Sequence, residues 1–156
     1  MKLYRIADRR HPVWSGTGAM PLGGRFNSPG RAVIYAGSTF AGAMLEVLVH
    51  AQIGKVPRTY GWVGADVPPD MTIERLSAAQ LPEGWDSSAP HVARAVGDAW
   101  LGEQRSAVLL VPSVIARVEW NALVNPLHPD AARIVTSEPQ PVIWDERLFK
   151  APKGAA

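Results

Sequence analysis

The chain has 156 residues, 47% hydrophobic and 19% charged, with 16 basic against 14 acidic side chains and a net charge of +2. That length suits a single folded unit across 1–156 with its own core, and so small a charge, with no run of five or six Lys/Arg, argues against direct binding to nucleic acid. Zero cysteines exclude a disulfide framework, thiolate chemistry and a Cys-based zinc site; no apolar run reaches the roughly 18 residues of a membrane span, no secretory apolar core follows the N-terminus, and a cytoplasmic protein is expected.

"KLYRI" reads as a first strand, with Leu3 and Arg5 on one face and Tyr4 and Ile6 on the other. The segment "SGTGAMPLGGRFNSPG" then holds five glycines and two prolines, a loop long enough to suggest function. "RAVIYAG" is a second strand, with Val33 and Tyr35 on one face. "STFAGAMLEVLVH" predicts a helix capped by Ser38, with Phe40, Ala43, Met44, Val47 and Leu48 as its core stripe. "RTYGWVGADVP" reads as a third strand, "HVARAVGDAWLGEQ" as a second helix and "SAVLLVPS" as a buried strand ending at Pro112. "EWNALVNPLHPDAARI" reads as turns with a short helix, and "PVIWDERLF" as a last strand. The irregular alternation predicts an α+β fold, a mixed and strongly twisted sheet with flanking helices.

Glu46 is the one charge in "FAGAMLEVLVH". At about 100° per residue it projects far from the Phe40/Met44/Val47 stripe, and Gly42 one turn back leaves bare backbone beside it. It could face solvent, pair with an arginine, or form the floor of a ligand pocket. Arg25 sits among glycines that let a ligand approach the backbone, and Asn27 adds amide donors. Such a loop suits a small anion, because the planar fork of arginine grips phosphate bidentately; an ion pair between Arg25 and Glu46 is the plainer alternative. Arg5 on the first strand fits a carboxylate partner or the same ligand. Tyr35 could be core, or could stack on a planar ligand with its hydroxyl in water. Ser113 could cap a turn or touch a ligand. His11, His50, His91 and His128 are scattered without metal-ligand spacing, so no metal site is expected. No serine-hydrolase elbow, phosphate loop or dinucleotide fingerprint occurs.

Together "LYRI", "GGRFNSPGRAVIYAG", "LEVLVH", "AVLLVPSVI" and "NPLHPDAARI" resemble the RES-domain toxins of bacterial toxin–antitoxin systems, in order across nearly the whole chain. The resemblance implies an ADP-ribosyltransferase-like fold and a toxin that depletes NAD⁺ by hydrolysis or phosphorolysis. Some relatives instead attach ADP-ribose to a protein. It also implies a helix-turn-helix antitoxin partner that blocks the site, with room for a homo-oligomer inside the complex. By motif position it assigns catalysis to Glu46, Arg25 and Tyr35, and NAD⁺ binding to Arg5, Arg25, Tyr35, Asn27 and Ser113, with Ser106 the alternative for the family's serine. NAD⁺ is then a substrate, and no resident cofactor is implied. A nucleotide-binding module without catalysis is the rival reading.

Overall fold

The computed structural model describes residues 1–50 and 56–149. The single unit expected across 1–156 thus extends, at 51–55 and 150–156, outside the described residues. The strands are β1 (Lys2–Asp8), β2 (Ile34–Gly37), β3 (Tyr60–Asp66), β4 (Ile73–Arg75), β5 (Val108–Pro112), β6 (Trp120–Val124), β7 (Val135–Thr136) and β8 (Gln140–Pro141). The helices are α1 (Phe40–His50) and α2 (His91–Glu103). All the strands join one mixed sheet in the order β4-β5-β6-β2-β1-β3-β7, with β8 beside β7 along the outer edge of β3. Among the described residues only the β4–β5 pair is parallel. Among the described residues no helix is long and apolar enough to cross a membrane.

Period-two alternation along the central strands divides the core into two layers. Val108 and Leu110 of β5, Ala122 and Val124 of β6, and Ile34 and Ala36 of β2 join Leu3 and Ala65 in one layer. Leu109, Val111, Leu123 and Val33 face the other way, onto Ala93, Trp100 and Leu101 of α2 and Phe26 of the glycine-rich loop. Tyr35 packs at the edge of that second layer beside Val33, the shared face expected for this strand. The sheet thus holds the loop against one face, and burial of each large side chain there contributes about 1.5–3 kcal/mol.

Several expectations need correction. β6 lies at the sheet centre where turns were expected; "WNALV" takes its place through pairing with both β2 and β5 rather than through its own propensity. The short helix foreseen in the same segment does form, as a 3₁₀ turn at Pro129–Arg133 capped by His128. β4 was not expected; three residues carry too little pattern, and the β5 ladder holds them. Of the segment read as a last strand, "PVIWDERLF", only Pro141 lies in a strand, β8, because the Asp145 side chain accepts from the Arg147 N–H and starts a 3₁₀ turn. Thr39, not Ser38, caps α1: its hydroxyl oxygen accepts from the Gly42 N–H at 3.0 Å, whereas Ser38 is engaged with Trp120 of β6. The apolar stripe of α1 is shallow as well. Ala43 alone is buried, because this helix roofs a cleft instead of a filled core; Phe40 anchors it edge-on to Trp62, with ring centroids 5.2 Å apart.

Candidate active site

The cleft has a volume of about 730 Å³, within the usual range for small-molecule sites. Arg5 of β1, Arg25 of the loop, Tyr35 of β2, Glu46 of α1 and Asn121 of β6 all line it. Five segments distant in sequence therefore converge, because β6, β2 and β1 are neighbours and α1 follows β2 directly.

Glu46 does not point into bulk water. Its Oε1 accepts a hydrogen bond from Asn121 Nδ2 at 2.7 Å and another from Ser113 Oγ at 2.9 Å. Nor is it paired with Arg25, whose Nη1 donates to the carbonyls of Ser87 (2.8 Å) and Trp85 (3.3 Å). Among the described residues nothing accepts from Nε or Nη2 of Arg25. That edge of the guanidinium is the one able to grip two oxygens of a phosphate side by side.

The loop around Arg25 is built, not slack. Asn27 is wholly buried; its Nδ2 donates to the carbonyls of Ala19, Ser28 and Arg31, and its Oδ1 accepts from the Gly24 N–H and the Tyr35 hydroxyl. The amide proposed for ligand contact is thus engaged inside the loop, and Asn27 acts by shaping it. Gly24 is required by contact: a Cβ there would lie 2.5 Å from the Tyr35 hydroxyl. Helix α2 grips the loop from outside. Arg94 donates to the carbonyls of Gly24 and Leu22, and Asp98 accepts from the Ser28 N–H and hydroxyl.

Tyr35 differs from the expectation at its tip. Its hydroxyl is not in water; it donates to Asn27 Oδ1 at 2.6 Å and accepts from the Phe26 N–H at 3.0 Å. Burial is the main cause that pushes its pKa up to about 12, against weaker lowering by the Phe26 N–H. The ring still lines the cleft. Arg5 is held by the carbonyls of Val13 (2.5 Å) and Tyr35 (2.6 Å), and burial brings its pKa down to about 10, so it stays charged near neutral pH.

The two candidate serines separate cleanly. Ser113 meets Glu46, while Ser106 lies under Trp100, accepting from its Nε1 at 3.0 Å. Sequence reasoning missed Asn121, whose amide reaches the same carboxylate oxygen. It also missed His50, whose Nδ1 lies 2.7 Å from the Glu46 carbonyl at the cleft wall. The available signal for Asn121 was a polar side chain inside "WNALV", visible only once that stretch is recognised as a central strand.

With this geometry in hand, comparison with known proteins is informative. The RES domain family matches residues 2–145. The protein named Prs ADP-ribosylating toxin, from Sphingobium sp. (strain YBL2), is 40% identical over 139 residues, spanning 87% of this chain and 86% of that protein. A protein named Toxin Res, from Yersinia enterocolitica serotype O:8 / biotype 1B, is 37% identical over 152 residues, spanning 95% and 99%. Among solved structures, a chain of the M. tuberculosis MbcT–MbcA toxin–antitoxin complex superposes with a TM-score of 0.75 at 21% identity, covering 90% of this chain and 83% of that one. The α+β architecture expected from the sequence, a mixed sheet with flanking helices, is the one found, and that solved chain shares it.

Proposed function

The chain belongs to the RES-domain family, and from that premise we propose that it is the toxin of a toxin–antitoxin pair, arresting growth by cleaving the nicotinamide–ribose bond of NAD⁺ in the cytoplasm. The observation that carries this reading is the half-buried Glu46 carboxylate, tethered through one oxygen in a cleft that also presents Arg25, Arg5 and Tyr35. As nicotinamide departs, positive charge grows on the ribose. A fixed carboxylate beside it stabilises that transition state more than the ground state. Arg25 offers its Nε/Nη2 edge to the pyrophosphate, and Arg5 adds a second fixed cation. With its hydroxyl engaged, Tyr35 offers its ring to nicotinamide and sets the orientation of the leaving group.

A helix-turn-helix antitoxin that covers the cleft is the partner this reading implies; the structural relative from a toxin–antitoxin complex supports an antitoxin partner. The relative named as an ADP-ribosylating toxin favours a second reading, in which a protein side chain takes the ADP-ribose. The test is to incubate purified protein with NAD⁺, with and without phosphate and with cell extract, and to identify products by mass. Free nicotinamide is expected throughout. Its companion is ADP-ribose if water accepts, a phosphorylated ADP-ribose if phosphate does, and a mass-shifted protein if a side chain does. NAD⁺ returned intact by folded protein overturns the proposal and leaves a nucleotide-binding module without catalysis.

A further inference from the structure

Both hydrogen bonds that hold Glu46 fall on the same oxygen. Asn121 Nδ2 and Ser113 Oγ donate to Oε1, and among the described residues nothing donates to Oε2. The two donors are themselves fixed. The Ser113 oxygen accepts from the N–H groups of Ile115 (3.1 Å) and Ala116 (3.0 Å), which turns its proton toward Glu46. Asn121 stands in the sheet interior, in register with Gly37 of β2 on one side and Val111 of β5 on the other. Its backbone is therefore held by a ladder on each side, and its side chain lines the cleft beside Glu46.

From this we infer that Asn121 is a positioning residue for the Glu46 carboxylate: it ties Oε1 back to the sheet and leaves Oε2 as the oxygen that meets the ribose. The inference rests on the NAD⁺-cleavage reading and deepens it by dividing the two oxygens between tether and chemistry. A glutamate on a half-exposed helix has three side-chain torsions to restrict. Ser113 alone gives one point of attachment, about which the carboxylate can still swing. A second donor from a different strand removes that freedom, and a misplacement of about 1 Å at a reacting group is enough to lose roughly 100-fold in rate.

The test compares nicotinamide release, per folded molecule, by wild type, Asn121→Ala, Glu46→Gln and the double variant. Asn121→Ala is expected to lower kcat by roughly 10- to 100-fold with KM changed less than about threefold, as a lost orienter does and lost substrate binding does not. In the Glu46→Gln background the same change is expected to have almost no further effect, because its action runs through that carboxylate. Asn121→Asp keeps the shape while replacing the donor with an acceptor, so it serves if the alanine variant does not fold, and it too is expected to lose kcat. Wild-type kcat in Asn121→Ala or Asn121→Asp overturns the inference alone. So do losses that multiply in the double variant, which would give Asn121 a role independent of Glu46. A folded wild type that releases no nicotinamide overturns the function reading and this inference with it.

Discussion

Tyr35 joins two jobs in one side chain: the ring walls the cleft and the hydroxyl fastens the Arg25 loop through Phe26 and Asn27. Because burial holds this phenol at about 12, above its usual 10.0, the folded state keeps a proton that the unfolded chain gives up first. The stabilising contribution is therefore complete below about pH 10 and is lost as pH rises through about 12. A late component is expected in ultraviolet tyrosinate absorbance, and Tyr35→Phe should remove it. A late component that survives Tyr35→Phe would contradict the assignment. At this scale the sequence was most readable where a residue broke its surroundings. Glu46 is a single acid on an apolar helix, and Arg25 a single cation among glycines, and both line the cleft. The side chains of Asn27 and Ser113 are engaged within the protein, because hydrogen-bond partners 1 to 67 positions away decide whether an amide or hydroxyl is available. Asn121 was invisible because nothing within its own stretch points to Glu46.

Among the elements, α2 governs how the loop presents Arg25. Gly97 is where the two meet: a Cβ there would fall onto the Phe26 carbonyl, and Asp98 and Arg94 bond the loop on either side of that contact. Two effects oppose each other in Gly97→Ala. Helix propensity favours alanine by about 1 kcal/mol, while overpacking against backbone costs typically about 1–3 kcal/mol. Since a carbonyl cannot rotate away like a side-chain end, overpacking is expected to win, giving a net loss of up to about 2 kcal/mol in urea unfolding and weaker NAD⁺ binding. Unchanged or raised stability would show that the helix does not clamp the loop. The helices, β1, β2, β3 and β5 were legible from periodicity, whereas β4 and β6 were not. Those two exist through their neighbours' ladders, and the turn chemistry after Val124 obscured the short strand before it.

For the molecule as a whole, the sheet order matters more than any one element. Placing β6, β2 and β1 side by side, with α1 directly after β2, brings carboxylate, guanidinium groups and aromatic ring into one cleft from segments far apart in sequence. The fold class followed from the alternation of strands and helices, but the assembly of the cleft is a property of long-range pairing that no local pattern encodes. Whether that assembled carboxylate does chemistry decides between an enzyme and a binding module. The most direct measurement is nicotinamide release from NAD⁺ by wild type and by Glu46→Gln, with both shown to be folded. A loss of at least about 100-fold in turnover is predicted, in keeping with removal of one electrostatic stabiliser of a developing charge. Release from the folded Glu46→Gln variant at near the wild-type rate would contradict it.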